Sequence, residues 1–327
     1  MMKRAKMAKW VLFTIALSVY CYRPLPGQRV INVEEMTAGE ISLAPDIAIP
    51  KILAGYTLWL PRETPIGMIV FTHPRRDTLN SDSLIDYAQS KGLAVLYATT
   101  DNRLEFFFRK EKMQEIENYV HQVIQRYHIP SDHLLYCGMA LEGTRALKLT
   151  IFGQDQASKN KLKPRAIVIC DAPLDMLRFH QAMIRAKKVN FSDIAVNEGT
   201  WVSAYLEANL GGKPTKNPAT YIQYSPYCYT AEGGPHLSVF QDIAVRAYTE
   251  PDIHWWMQER RKDYYGMNAL DLAAFINDLQ LRGNSEAALI TTQHQGYRPD
   301  GSRHPHSWSI VDEKEMVNWF LGLIGKD

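Results

Sequence analysis

Cysteine is scarce in this chain, and its spacing fits none of the usual cysteine-built sites. The 327 residues include 4 cysteines, with no Cys-x-x-Cys pair and no His/Cys cluster at the spacing of a metal site. Cys137 and Cys170 each end a short apolar run, so we predict small, buried, structural side chains at both positions. A disulfide scaffold and a metal site are therefore both disfavoured.

Net charge is also nearly absent. With 37 Lys and Arg against 35 Asp and Glu, the chain carries a formal charge of +2, so it has no overall basic footprint for nucleic acid. Gly211-Gly212-Lys213 lacks both the length and the preceding strand of a phosphate-binding loop. We predict no nucleic-acid partner and no cofactor. A chain of this length can bury a large core without metal or disulfide support.

The apolar run near the N-terminus, residues 11–20 (VLFTIALSVY), is too short to span a bilayer comfortably. Four basic residues precede it: Lys3, Arg4, Lys6 and Lys9. We interpret residues 1–27 as a secretory signal peptide cleaved after Gly27, which predicts a secreted or periplasmic protein with no stable membrane span afterwards. Two alternatives stay open: a lipoprotein through Cys21, which bulky Tyr20 disfavours, and an uncleaved membrane anchor.

Apolar runs and amphipathic segments alternate over most of residues 28–327. Strands are predicted at residues 56–60, 68–72, 93–98, 134–137, 166–170, 243–248 and 287–291. Helices are predicted at residues 81–91, 110–127, 144–152 and 269–282, with a last one from an Asp312 cap to residue 324. The pattern predicts one α/β domain with a mostly parallel central sheet and helices on both faces. The alternation lapses at about residues 173–240, where we predict a helical cap insertion.

One stretch, residues 134–149 (LLYCGMALEGTRALKL), indicates a strand, a sharp turn and a helix. Gly138 and Gly143 flank the turn, as expected where strand and helix pack closely around strained backbone. Enzymes often mount a nucleophilic serine at the apex of such a turn. Here the apex is Ala140, which can do no chemistry.

The arrangement resembles the α/β-hydrolase fold superfamily, serine-hydrolase type. Gly138 to Gly143 stand where that family has its G-x-S-x-G elbow, with Ala140 in the nucleophile position and Glu142 in place of the second glycine. By resemblance, Asp252 in the segment TEPD is the acid of the triad, with Glu250 as a near substitute. His306 in RHPHSW is the histidine, chosen over His304.

The same resemblance places an oxyanion site near His73-Pro74, after the strand at residues 68–72. The backbone N–H of Leu141 is the expected first donor. Pro74 has no N–H, so the second donor would come from Arg75 or beyond. His73 is expected to fix the loop rather than to react.

Each site residue also has a structural interpretation. Asp252 suits the N-terminal cap of a helix beginning near Trp255, and His306 suits a histidine that holds its loop by hydrogen bonds. Glu142 and Cys137 are disfavoured as substitute nucleophiles. Glu142 is expected to turn towards Arg145 or a helix end, because the backbone there is crowded, and Cys137 should point into the core.

Aromatic residues are frequent in the predicted cap and just beyond it. They are Trp201, Tyr205, Tyr221, Tyr224, Tyr227, Tyr229, Trp255, Trp256, Tyr264 and Tyr265. Flat aromatic faces would suit a small-molecule, peptide or glycan ligand, although a cap also needs aromatic side chains to pack on the body.

Two hypotheses about function follow. In the first, the chain is an exported hydrolase relative whose Ser-His-Asp site is degenerate and which works by binding. In the second, it is an active esterase or peptidase-like hydrolase, with an unusual nucleophile or as an inactivated variant of an active enzyme. Without a hydroxyl or thiol at position 140, the histidine has nothing to activate, which favours the first hypothesis.

Overall fold

The structure is a computed structural model that describes residues 28–33, 39–74 and 83–325. The predicted signal peptide and Arg75 lie outside these residues. The strands, in chain order, are β1 (Arg29–Val33), β2 (Glu40–Ala44), β3 (Ile47–Pro50), β4 (Gly55–Trp59), β5 (Gly67–Phe71), β6 (Leu93–Thr99), β7 (Leu134–Met139), β8 (Ala166–Cys170), β9 (Ala244–Thr249) and β10 (Ala287–Thr291).

An 8-stranded sheet with the order β1-β4-β6-β5-β7-β8-β9-β10 organises the chain. β4 runs antiparallel to both its neighbours, and all pairs from β6 to β10 are parallel. β2 and β3 form a separate antiparallel pair. The mostly parallel sheet predicted from the alternating pattern is confirmed.

Nine α-helices occur in the described part of the chain. They are α1 (Ser83–Ser90), α2 (Lys110–Tyr127), α3 (Leu141–Gln154), α4 (Met176–Val189), α5 (Asp193–Asn209), α6 (Pro218–Tyr224), α7 (Ile253–Arg260), α8 (Ala269–Leu281) and α9 (Glu313–Leu323). None of them is long and apolar enough to cross a membrane.

Helices cover both faces of the sheet, because side chains in a strand alternate between faces. Met68 and Val70 of β5 belong to a hydrophobic cluster with α2, α3 and α8. Ile69 and Phe71 belong to a second cluster, with α1 and α9. The prediction of helices on both faces is confirmed.

The segment between β8 and β9 is largely helical and contains α4, α5 and α6. These helices share a third hydrophobic cluster, which also includes Leu43 and Ile49 of the β2-β3 pair and Phe106. Leu141, directly after the elbow apex, packs against this cluster. We call this segment, residues 173–240, the cap; its status as an inserted unit stays a prediction.

Cys137, Cys170 and Cys228 are all unpaired and buried. The Cys137 sulfur lies 3.9 Å from the Met316 sulfur, inside the second cluster. Burial raises the pKa of the Cys137 and Cys170 thiols well above the ordinary value, so neither forms a thiolate readily. Their predicted role as small buried hydrophobic residues is confirmed.

Candidate active site

Ala140 sits at the apex of the β7–α3 turn with φ 52° and ψ −127°. A residue with a Cβ rarely adopts this backbone conformation, which costs roughly 1–3 kcal/mol unless the surroundings impose it. The surroundings do so here: the Ala140 N–H donates to the Cys170 carbonyl at 2.9 Å, and its carbonyl accepts from the N–H of Gly143 at 3.0 Å. The turn therefore has the backbone of a nucleophile elbow without the nucleophile.

Two glycines make this turn possible. A Cβ on Gly138 would lie 2.3 Å from the Glu142 carbonyl carbon, and one on Gly143 would lie 2.7 Å from the Ala172 Cβ. Neither distance is compatible with a side chain. Gly138 and Gly143 thus let β7 and α3 approach each other and β8 closely, for the reason expected from the sequence.

Asp171 follows β8 directly and lies beside the elbow. β7 and β8 are parallel neighbours, and Met139 is the register partner of Cys170. Ala140 and Asp171, the next residues along each strand, therefore emerge side by side at one edge of the sheet. Asp171 also has a positive φ of 44°, and its N–H donates to the Tyr248 carbonyl at 2.8 Å.

Asp171 holds His306 in place. The His306 Nδ1 lies 2.6 Å from Asp171 Oδ2, and the other oxygen of Asp171 accepts from the Thr249 hydroxyl at 3.4 Å. A carboxylate on Nδ1 fixes the imidazole so that Nε2 carries the free lone pair. Burial tends to lower the pKa of His306, but the hydrogen bond and negative charge of Asp171 outweigh it and hold the pKa above 6.5.

The expected pairing of His306 with Asp252 is not found. One oxygen of Asp252 accepts from the Trp255 N–H at 3.1 Å and caps α7, while the other accepts from Arg303 Nη2 at 2.8 Å. The structural interpretation of Asp252 is the one that the contacts support. The sequence contained a signal for Asp171, because this residue directly follows a predicted strand. The resemblance to the family favoured Asp252 instead.

Glu250, the substitute acid, is also engaged elsewhere. It is 3% exposed and forms an ion pair with Arg303. Its carboxylate also accepts from the Thr292 hydroxyl at 2.8 Å and from the Gln295 N–H at 2.9 Å. Since Arg303 in turn donates to the Gly296 carbonyl, Glu250 anchors the loop that leads to His306. Its role is to position that loop.

Two side chains in contact, His73 and Glu142, occupy the expected oxyanion region. His73 Nδ1 lies 3.2 Å from Glu142 Oε2, and the other oxygen of Glu142 lies 3.7 Å from Arg145 Nη2. Burial would raise the pKa of Glu142, but its contacts with His73 and Arg145 and the N–H of Met139 keep it below the ordinary value. His73 therefore fixes the loop after β5, and Glu142 turns aside as expected.

Leu141 is the first residue of α3, so its N–H is among those that no helical carbonyl accepts. It remains the candidate oxyanion donor. The second candidate, Arg75, lies outside the described residues. Within those residues, no group of three or more His, Cys, Asp or Glu side chains could hold a metal ion.

A cavity of about 240 Å³ adjoins the Asp171–His306 pair. Its lining combines Asp171, His304 and His306 of the body with Phe179, Met183 and Ile194 of the cap, and it includes Lys262 from the segment after α7. We call it the dyad cavity. It gives His306 a space in which a small molecule could be held, at the low end of the size range for ligand pockets.

Most of the aromatic residues considered as ligand contacts or as packing residues do not line this cavity. Tyr205, Tyr221 and Tyr224 are buried in the hydrophobic cluster of the cap, and Tyr227 is buried in the body. Trp256 is the one aromatic residue of that set that lines the dyad cavity among the described residues. The packing interpretation therefore holds for these four tyrosines, whose rings are buried between elements, whereas Tyr229 of the cap is exposed.

The pKa values of the two neighbouring histidines, His304 and His306, are shifted in opposite directions. Burial and the charge of Arg298 lower the pKa of His304 from 6.5 to about 4, whereas that of His306 lies above 6.5. Between pH 6.5 and about 4 the unfolded chain binds more protons at His304 than the folded chain does. The contribution of His304 to stability is therefore lost as the pH falls through this range. The contribution of His306 is present below pH 6.5 and is lost as pH rises through its folded pKa.

An NMR titration of the imidazole Cε1 protons checks this directly. The expected midpoints are near pH 4 for His304 and above 6.5 for His306. Asp171→Asn should lower the His306 midpoint and leave that of His304 in place. Indistinguishable midpoints in the unchanged protein would contradict the geometry described above.

Comparison with known proteins gives a fold but no sequence family. No protein-family model matches the chain, and no curated protein matches its sequence. Among solved structures, a fungal esterase from Rhizomucor miehei superposes with a TM-score of 0.51 at 10% identity, covering 92% of this chain and 86% of that one. Prolyl oligopeptidase B from Galerina marginata gives 0.53 at 12% identity over 92% of this chain and 37% of that one.

A puromycin-hydrolyzing peptidase of Mycobacterium tuberculosis gives a TM-score of 0.50 at 15% identity, over 91% of this chain and 40% of that one. The chain thus spans about two fifths of the length of these two peptidases and most of the length of the esterase. Identities this low establish the architecture only. Together with the sheet order and the β7–α3 elbow, they show that this chain has the α/β-hydrolase fold.

Proposed function

We propose that this protein has lost serine-type acyl transfer and acts by binding a small ligand in the dyad cavity. The observation that carries the proposal is Ala140, held in the backbone conformation of an elbow apex with no hydroxyl or thiol to offer. Activation by His306 requires such a group. The pair of Glu142 and His73 beside the elbow adds a second departure from a working oxyanion site.

Binding outside the cytoplasm is part of this proposal. It is supported by the basic and apolar pattern of residues 1–27, which suits export. The ligand class that the cavity volume favours is a small molecule, or one end of a peptide or glycan.

A second candidate has its own observation in support. The hydrogen bond of 2.6 Å between Asp171 and His306 leaves Nε2 free to act as a general base. A water molecule at that nitrogen could attack an ester without a covalent intermediate. This candidate needs no side chain at position 140.

Fluorophosphonate labelling and aryl ester hydrolysis separate the two candidates. Under the first, the unchanged protein is neither labelled nor active above buffer, and a His306→Ala variant behaves identically. Under the second, the protein is unlabelled but hydrolyses esters, and His306→Ala removes that activity by roughly 10²-fold or more. Labelling of the unchanged protein would contradict both.

A further inference from the structure

The lining of the dyad cavity contains both apolar and charged residues. The apolar ones include Phe179, Met183 and Ile194 from the cap and Met267 from the body. The charged ones are three cationic residues, Arg260, Lys262 and Arg298, together with Asp171 and Glu198. Cavities with convergent polar groups on an apolar lining are typical small-molecule sites.

The three cations have no acidic partner within 4 Å among the residues that the structure describes. Lys262 lies 5.3 Å above the ring of Trp256, and Arg260 lies 5.4 Å from the ring of Trp255 and donates to the Glu259 carbonyl. By contrast, two half-buried arginines elsewhere form ion pairs: Arg178 binds Asp271, and Arg303 binds Glu250. The lining of the dyad cavity therefore contains three cations that are not held in close ion pairs with the described residues.

The two acidic residues of the lining offset part of this charge. Asp171 is engaged by His306 and Thr249, and Glu198, like Arg298, is solvent exposed. Besides burial, the charges of Arg298 and Arg260 help to lower the pKa of His304. The charge of Lys262 likewise lowers the pKa of His306, against the larger effects of Asp171 and Glu198, which raise it. A bound anion would relieve both effects.

We propose that the dyad cavity binds a small organic acid, with its carboxylate at Lys262 and Arg260 and its apolar body against Met183 and Phe179. The inference rests on the proposed function in taking this cavity as the binding site, and it adds the chemical class of the ligand. Charge-assisted hydrogen bonds to a carboxylate are stronger than those to a neutral group, and desolvation inside a cavity increases the difference.

The charge balance favours a monoanion. Three cations face two carboxylates, so about one positive charge is left for the ligand when His306 is neutral. A dianionic phosphate monoester would bring a second negative charge close to Asp171 and Glu198, and like charges in such a site repel. A carboxylate on an aryl or alkyl body of modest size fits both the charge and the volume of about 240 Å³.

Calorimetric titration with 3-phenylpropionate, 3-phenylpropionamide and phenyl phosphate tests the proposal on the unchanged protein. We expect the carboxylate to bind about ten- to hundredfold more tightly than the amide, which has the same skeleton without the charge. Phenyl phosphate should bind more weakly than the carboxylate. Saturating carboxylate should also raise the midpoint of the His306 NMR titration, because it neutralises Lys262.

Substitutions of single lysines test whether Lys262 is responsible for the preference for a carboxylate. Lys262→Met should abolish the preference for the carboxylate, Lys262→Arg should keep it, and Lys216→Met, an exposed cation of the cap outside the dyad cavity, should change affinity less than about twofold. Thermal unfolding of each variant confirms that the fold is retained.

Three outcomes would overturn the inference: equal affinity for amide and carboxylate, an equal loss with Lys216→Met, or no binding of the carboxylate at about 10 mM. Tighter binding of phenyl phosphate would replace the monoanion with a phosphate ligand. Ester hydrolysis by the unchanged protein would refute the proposed loss of catalysis and leave the preference for a carboxylate standing, so the two failures are distinguishable.

Discussion

Replacing Ala140 with serine is expected to convert an unlabelled protein into one that reacts covalently with a fluorophosphonate. The backbone at position 140 already has the elbow conformation, and the neighbouring Asp171 already holds the Nδ1 of His306. The substitution adds one oxygen to a position that tolerates a Cβ. We expect labelling at a rate roughly 10³-fold or more above that of the unchanged protein, below the full contribution of a nucleophile because Glu142 and His73 crowd the oxyanion region.

The Ala140→Ser variant can also be used to identify which carboxylate orients His306. Combining Ala140→Ser with Asp171→Asn should return the labelling rate to about that of the unchanged protein, a loss of roughly 10³-fold, since the imidazole then loses its orienting carboxylate. Asp252→Asn is the matched control, because it changes the same side chain in the same way at the cap of α7. Its effect should stay within about threefold. The opposite result, with Asp252 required and Asp171 dispensable, would refute the dyad described here.

Gly138→Ala is expected to be among the most damaging single methyl additions in the protein. The new Cβ would lie 2.3–2.5 Å from the Glu142 carbonyl carbon, the Glu142 oxygen and the Gly143 nitrogen, which are backbone atoms that no rotamer change can move. Strand β7 and helix α3 would have to separate. We expect a loss of about 3–4 kcal/mol in the free energy of unfolding, measured by urea denaturation.

Gly39→Ala serves as the control for this measurement. A Cβ at Gly39 would meet only the Lys51 side chain, at 3.8 Å. The expected change there is within about 0.5 kcal/mol. A Gly138→Ala variant as stable as Gly39→Ala would mean that the strand and helix are not in the close contact described.

Much of the fold followed from local pattern. The predicted bounds of α2 (Lys110–Tyr127), β8 (Ala166–Cys170) and β10 (Ala287–Thr291) agree with the structure. Asp312 caps α9 by accepting from the Glu315 N–H. Apolar runs of a few residues and stripes at helical spacing are properties of neighbouring residues, so they can be read without knowing the tertiary contacts.

Other elements were not predicted. β1 and the β2-β3 pair lie before residue 56, where the first strand was predicted, and α3 begins at Leu141 rather than at residue 144. β1 pairs with β4 through backbone hydrogen bonds, and the β2-β3 pair packs its apolar residues on the cap. Both depend on partners that are distant in the sequence, and strand preference is strongly shaped by such partners.

The sequence by itself determined the alternation of strands and helices, the glycine-framed elbow and the absence of a nucleophile at Ala140. Tertiary structure decided which carboxylate meets His306. Asp171, Glu250 and Asp252 all follow strand ends, and their roles separate only because the neighbouring parallel strands place Asp171 beside the elbow, while Arg303 neutralises the other two. Periodicity is encoded locally, whereas the pairing of buried charges depends on which strand ends become neighbours.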